Sequence, residues 1–330
     1  MSKLLIYGAS GYTGRIASHH AKSLGLDFIV AGRTKSTKAK DLAFELCANY
    51  RLFDLKAPED IDIALEGISV LLNCAGPFML TAEPLMAACI RKGVHYLDIA
   101  AELDSYQLAE KKDREARSAN VMLLPGCGGS VVMLGCLAGK AVEQVECPAS
   151  IDISLCISGS ISRGSAISAM ENMSADVFQR VDGALVHAEI VSTIELDFHD
   201  GKGTVANFQT TLPDVITIWK STGVRNIRTF VHTTSDAFST GDLPSLADGP
   251  TKEEREAAPY HAAVKVTARD GTVTHAVLHT VNGYTFTGLA SVEAARKILA
   301  GIAVPGFQTP AVIFGNDFVL AIPESKVRML

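Results

Sequence analysis

The feature that constrains this chain most stands at its start. The apolar run Leu4-Leu5-Ile6-Tyr7 meets Gly8-Ala9-Ser10-Gly11-Tyr12-Thr13-Gly14, and Ile16, Ala17, Ala21 and Leu24 then recur at helical spacing. Glycines in such a loop let the backbone turn tightly and approach a pyrophosphate. The helix behind it offers unpaired N–H groups and the positive end of its dipole. Glycines at this spacing also serve ordinary turns, so the strand–loop–helix setting carries the inference. It makes Gly8, Ser10, Gly11, Tyr12, Thr13 and Gly14 the candidate phosphate cradle.

The first 125 residues continue in the same style. Strand-like runs at Lys3–Gly8, Asp27–Ala31, Tyr50–Asp54, Ser69–Cys74, His95–Ile99 and Asn120–Leu124 alternate with helical patterns. Six strands with five crossovers predict a doubly wound parallel sheet, the α/β Rossmann arrangement. The pattern then changes. Ile151, Ile153, Leu155 and Ile157 alternate with Asp152, Ser154, Cys156 and Ser158, which predicts a strand with one wet or interface-facing side. Further strands are expected at Glu189–Phe198, Thr204–Thr211, Arg228–His232, Val264–Ala268 and Val273–Leu278, the last two joined by the turn pair Asp270-Gly271. A short helix is expected at Ala166–Met173 and another at Ser291–Ala300, with a long surface loop from Thr233 to Pro259. Together these predict a second α+β domain with a largely antiparallel mixed sheet.

Composition narrows the function classes. Thirty basic against thirty-six acidic side chains give a net charge of −6, with no Lys/Arg block, so neither a nucleic-acid footprint nor a membrane-surface patch is expected. At 48% hydrophobic and 20% charged, the chain has the means to bury a sizeable core. Its seven cysteines lack CxxC spacing, so no disulfide framework or zinc site is expected, and reduced thiols in the cytoplasm are. The opening apolar run is too short for a signal peptide. Ser118–Gly139 carries no charge, but Pro125-Gly126-Cys127-Gly128-Gly129 would break a spanning helix; a buried strand, a glycine turn and a new helix fit it better.

The second strand ends at Ala31-Gly32-Arg33-Thr34, with Lys35 and Lys38 just beyond. An NAD site usually places an acidic residue here for the ribose 2′-hydroxyl. Arginine instead pairs with a 2′-phosphate and stacks on adenine, so NADP(H) is expected, with Arg33 and Thr34 as contacts; a solvated basic turn is the plainer alternative. Asp54 could hold the adenine amine or simply end its strand. The loop Asn73-Cys74-Ala75-Gly76-Pro77-Phe78 should run beside the nicotinamide ribose, making Cys74, Ala75, Gly76 and Pro77 cofactor contacts and Phe78 a substrate contact.

Other chemistries are excluded. Short-chain dehydrogenases place a Tyr four residues before a Lys, and the residues four after the seven tyrosines are Gly11, Ile16, Asp54, Ala100, Glu110, Val264 and Gly288. No HExxH, P-loop lysine or paired His/Cys metal spacing occurs, and no metal is expected. His275 and His279 share a strand face but stand too far apart to chelate one ion.

Asp98-Ile99-Ala100-Ala101-Glu102 puts two carboxylates at the carboxyl edge of the sheet. Either Asp98 or Glu102 could orient a protonated amine or relay a proton; equally, Asp98 could cap the turn into the next helix. Cys127 sits in a glycine turn at a helix N-terminus, where a thiol's pKa should fall. That raises a rival reading, because Pro125-Gly126-Cys127 is similar to the nucleophilic turn of acyl-phosphate and semialdehyde reductases. In the second domain, Arg163 and Ser165 at a helix start could hold a substrate carboxylate or phosphate, or belong to a flexible connection.

The segments Gly8–Gly14, Ala31–Arg33, Asn73–Phe78, Glu83–Glu102 and Pro125–Val131 resemble the saccharopine dehydrogenase-like family, with Asn282–Thr287 and Gly306–Gly315 adding to the likeness. Short saccharopine reductase-like members and trans-acting enoyl reductases are the nearest forms. The resemblance implies a Rossmann domain that the chain leaves and re-enters, spanning 1–130 and 288–330. It also implies an intervening domain, 131–287, for substrate binding and oligomerisation. It implies NADP(H)-dependent reduction of a C=N or C=C bond. The leading expectation is a reductase of a small carboxylate-bearing imine, enoyl or carbonyl (C=O) metabolite, with a homodimer formed through the second-domain sheet. A non-catalytic NADP(H)-binding sensor is the reading from another class.

Overall fold

The computed structural model describes residues 3–172, 176–234 and 248–330. In the first part of the chain the strands are β1 (Leu4–Tyr7), β2 (Phe28–Gly32), β3 (Asn49–Leu52), β4 (Val70–Asn73), β5 (His95–Asp98) and β6 (Met122–Leu124). Every residue of β1, β2, β4 and β6 is buried, as strands covered on both faces must be. Removing one such side chain, as in Leu72→Ala, should cost about 2–5 kcal/mol.

These strands and β15 (Gly306–Phe307) form a parallel sheet in the order β15-β6-β5-β4-β1-β2-β3. The order reverses between β1 and β4, so the loops leaving those two strands open the crevice where ligands of such sheets bind. The helices are α1 (Tyr12–Ser23), α2 (Thr37–Glu45), α3 (Pro58–Ala64), α4 (Phe78–Lys92), α5 (Leu103–Lys111) and α6 (Asp113–Ser118). Local chemistry sets their ends. The Ser36 hydroxyl accepts the Ala39 N–H at 3.2 Å to cap α2, and Gly93, in the left-handed region, stops α4. A later helix, α11 (Gly283–Leu299), lies so close to α1 that a Cβ on Gly288 would meet Ile16 at 2.5 Å.

The chain divides into two units, Met1–Gly128 with Thr287–Gln308, and Gly129–Phe286 with Thr309–Leu330. The expected return to the first unit through residue 330 therefore stops at Gln308. Two elements hold the last stretch to the second unit: α12 (Pro310–Phe314) packs on α7 (Gly129–Val142), and β16 (Lys326–Met329) pairs with β14 (Val273–Thr280).

The second unit is built on α7, apolar nearly all round and therefore buried. Its sheet runs β10 (Thr193–Asp197), β11 (Thr204–Gln209), β12 (Asn226–Thr233), β7 (Pro148–Ile157), β13 (Tyr260–Ala268), β14, β16. Only the β12–β7 pair is parallel along that path, and the hairpin of β8 (Phe178–Val181) and β9 (Ala184–His187) branches from β12. Helices α8 (Arg163–Asn172), α9 (Asp214–Thr222) and α10 (Lys252–Glu256) complete it.

Three expectations need correction. The strand expected at Glu189–Phe198 is only Thr193–Asp197. The loop expected from Thr233 to Pro259 contains α10, held by a capping box between Thr251 and Glu254; residues 235–247 lie outside the described residues. The polar side of β7 is not wet. Asp152 takes a two-pronged bond from Arg228 at 2.7 and 2.9 Å, Ser154 donates to Asn207 at 2.6 Å, and Cys156 joins a core with Leu196, Phe198, Ala263 and Val277. Strand β10 is thus brought over the β13–β14 face, where His279 Nε2 donates to the Phe198 carbonyl at 2.7 Å. Among the described residues no helix is long and apolar enough to cross a membrane, and no group of three His, Cys, Asp or Glu is disposed to hold a metal ion.

Candidate active site

The glycine loop leaves β1 with Gly8 at φ +74°, a conformation that disfavours any side chain. A Cβ there would also lie 2.8 Å from both Cβ and N of Ala75, so the loops after β1 and β4 touch at this point. A Cβ on Gly14 would run into the Gly8 carbonyl and come within 2.9 Å of Ala9 Cα. The Gly11 N–H donates to the Gly8 carbonyl at 2.9 Å, and no side chain caps α1 at Gly11. The turn is thus held by main-chain bonds, and Ser10, Tyr12 and Thr13 stand around the mouth of the helix.

Arg33, Thr34, Lys35, Ser36, Thr37, Lys38 and Asp54 line one depression beyond the ends of β2 and β3. This brings together the basic turn and the acidic residue that the sequence singled out separately. Tyr7 lies within electrostatic reach of both. Burial pushes its hydroxyl up to about 12, Arg33 pulls it down and Asp54 raises it. Asp54 also accepts the Lys56 N–H at 3.0 Å, so it does serve its own turn. Ser36 and Thr37 were not singled out from the sequence, although a Ser at a helix start is a recognisable cap.

At the carboxyl end of β5, Asp98 is fully buried and thoroughly bonded. Its Oδ1 accepts N–H bonds from Ala100 at 3.0 Å and Gly126 at 2.8 Å, and its Oδ2 accepts the Tyr96 hydroxyl at 2.9 Å. Its carbonyl accepts the Cys127 N–H at 2.8 Å. Burial raises the carboxyl to about 6; the three hydrogen bonds oppose that shift and nearby Glu102 adds to it. Asp98 caps its own turn and joins it to the Cys127 turn at once. Glu102 is half-buried, and its Oε2 accepts the Ala101 N–H at 3.0 Å.

The expected fall in the Cys127 thiol's pKa does not occur. Cys127 has no exposed surface, and burial, followed by Asp98 and Cys74, raises it well above the ordinary value. Cys74 is likewise pushed up to about 12, first by burial and then by Asp98. The helix-terminus argument fails because desolvation of a thiolate outweighs a dipole worth about 0.3–1 kcal/mol. Ala75, Gly76 and Pro77 form the loop after β4, and Phe78 begins α4, buried.

In the second unit Arg163 pairs with the Asp248 carboxylate. Ser165 Oγ accepts from Tyr284 at 2.8 Å and from Ser162 at 3.1 Å. The chain's own groups therefore engage both residues expected to hold substrate. The residues missed at the first site are Asn73, Thr81 and Tyr96. Tyr96 had a legible signal, since it shares a strand face with Asp98 two residues on.

Residues 4–124 match the family model described as the saccharopine dehydrogenase NADP binding domain. The chain carries a saccharopine dehydrogenase NADP-binding domain. A human saccharopine dehydrogenase-like oxidoreductase is 25% identical over 150 residues, covering 38% of this chain and 34% of that protein. A trans-acting enoyl reductase of Mycobacterium tuberculosis is 26% identical over 136 residues, covering 38% of this chain and 32% of that protein. These matches thus span about a third of the relatives' length. Apo saccharopine dehydrogenase (L-Glu forming) from Saccharomyces cerevisiae aligns over 100% of both chains with a TM-score of 0.67 at 12% identity, a likeness of fold. The residues of the NADP-binding domain fit its nucleotide: a helix mouth without a side-chain cap suits a pyrophosphate, and a basic rim suits a 2′-phosphate.

Proposed function

We propose that the protein is an NADP(H)-dependent oxidoreductase that reduces a C=N, C=C or C=O bond of a small carboxylate-bearing metabolite. The observation that carries this reading is Asp98, a fully buried carboxyl at the carboxyl edge of the sheet beside the loop after β4, whose proton affinity burial raises. Gly8, Ser10, Gly11, Tyr12, Thr13 and Gly14 would hold the pyrophosphate, Arg33 and Thr34 the 2′-phosphate, and Asp54 the adenine. Cys74, Ala75, Gly76 and Pro77 would flank the nicotinamide ribose, with Phe78 toward the substrate. NADPH bound there supplies a hydride. Asp98 would hold or yield the proton that balances it, since a group titrating near working pH relays protons best; Glu102 would tune that proton electrostatically. Cys127 would shape the turn without covalent bonding.

The second unit would bind the substrate and join two copies through its sheet. Exposed Ile190, Val191 and Phe208 near the free edge strand β10 support a homodimer, which light scattering in solution would check. Seven unpaired thiols fit a reducing, cytoplasmic setting. The test of function is NADPH consumption across a panel of imines, enoyl thioesters and semialdehydes. Turnover of any imine or enoyl substrate that survives Cys127→Ala supports the reading. Binding of NADPH with no turnover on the whole panel would favour a sensor and overturn it.

A further inference from the structure

We propose that Tyr96 is a positioning residue for Asp98, and that the hydrogen-bonded chain Ala75–Asn73–Tyr96–Asp98 couples the nucleotide loop to the proton on Asp98. The inference deepens the reading above and rests on it.

The bonds run in one direction. Asn73 Oδ1 accepts the Ala75 N–H at 3.0 Å, while its Nδ2 donates to Thr81 Oγ1 at 3.0 Å and to the Tyr96 hydroxyl at 3.2 Å. Thr81 returns its own proton to the Ala75 carbonyl at 2.7 Å, so both polar groups of Ala75 are gripped. Tyr96, receiving from Asn73, has its single proton left for Asp98 Oδ2. A proton placed on Oδ2 would have to point at a hydroxyl whose own proton already points back. A proton on Oδ1 would face the N–H groups of Ala100 and Gly126. The whole chain therefore favours the ionised carboxylate and works against burial.

The titratable groups that face Asp98 are Tyr96 on its own strand, Cys74 after β4, Cys127 in the turn after β6 and Glu102 before α5. Both thiols stay protonated, so the Tyr96 proton is the adjustable element. Ala75 is also where the glycine loop touches, at the Cβ-less Gly8. A shift of Ala75 on nucleotide binding would pass through its bond to Asn73 and release the Tyr96 proton from its fixed direction. Asp98 then takes up a proton more readily when the nucleotide is bound.

The experiment is calorimetric titration with NADPH in buffers of different ionisation enthalpy, from pH 5 to 8. It compares the unaltered protein with Asp98→Asn, Tyr96→Phe and Thr81→Val. The 2′-phosphate of NADPH titrates in the same range, but it contributes equally to all four and cancels in differences. The share lost in Asp98→Asn should be centred near pH 6. Tyr96→Phe should move that centre upward by on the order of one pH unit, since it removes a bond to the charged form. Thr81→Val, which loosens Ala75 and leaves Tyr96 intact, should shrink the share by about half or more. A merely structural Tyr96 would lower thermal stability and leave the centre in place, which overturns the proposal. So would identical proton exchange in the unaltered protein and Asp98→Asn. If the unaltered protein binds no NADPH at all, the functional reading itself falls.

Discussion

The Gly126 N–H donates to Asp98 Oδ1 across 2.8 Å, so one buried carboxylate joins the end of β5 to the turn that carries Cys127. The same carboxylate holds the Ala100 turn and receives Tyr96. Proton, backbone turn and thiol therefore form one arrangement, and it is open to measurement at four points.

The first is the pH dependence of stability. Asp98 is raised from 3.8 to about 6 on folding, so the native state binds its proton more tightly than the unfolded chain. Its contribution is fully present below pH 3.8 and is lost as pH rises through about 6. The loss amounts to roughly 2–3 kcal/mol. In Asp98→Asn, urea unfolding between pH 4 and 7.5 should lack this component. An unchanged pH slope would contradict the buried, titrating carboxyl.

The second concerns the nucleotide. Pairing of Arg33 with a 2′-phosphate predicts tighter binding of NADPH than of NADH. Arg33→Ala should remove on the order of 1.5–3 kcal/mol of that preference, about ten- to a hundredfold. Equal affinities for the two nucleotides in the unaltered protein would refute it.

Six of the seven strands of the parallel sheet were legible, most of them as short apolar runs bounded by turn residues, and the loop after β1 because only glycine tolerates its geometry. The buried polar face of β7 was not. Asp152 and Ser154 find Arg228 and Asn207 only when strands distant in sequence come together, and alternation alone reads as one wet or interface-facing side. The β8–β9 hairpin did have a local signal in Asp182-Gly183, both at positive φ. Helix α9 is masked by the β-branched run Val215-Ile216-Thr217-Ile218, although Gly223 marks its left-handed end. At the site, Asp98 and Cys127 were visible as residue types in suitable places. Their burial was not, and burial decides their proton affinities.

The third point is thiol reactivity. Cys47 and Cys147 are exposed, whereas Cys127 is buried with its pKa raised. Iodoacetamide should therefore modify Cys47 and Cys147 in the folded protein and reach Cys127 only on unfolding. Cys127→Ala should keep its NADPH affinity and lose about 1 kcal/mol of stability through the small cavity left behind. Peptide mapping that found Cys127 alkylated ahead of the exposed pair would revive the nucleophile reading.

The last is steric. Gly14 packs directly on the backbone of Gly8 and Ala9, so a methyl group there has no flexible side chain to push aside. Gly14→Ala must displace either the glycine loop or the first turn of α1. Overpacking of this kind costs about 1–3 kcal/mol, and the displaced groups are those that would meet the pyrophosphate. NADPH affinity should drop by more than tenfold, a larger loss than the change in global stability alone would produce, because the native population stays near complete. Gly25, which ends the same helix region with nothing within 4 Å of a Cβ, provides the control. Its φ of +67° makes Gly25→Ala cost about 1 kcal/mol of stability by backbone strain, and nucleotide affinity should not change. If both variants bind NADPH like the unaltered protein, the loop is not the phosphate cradle. If both lose binding equally, stability rather than the cradle is responsible.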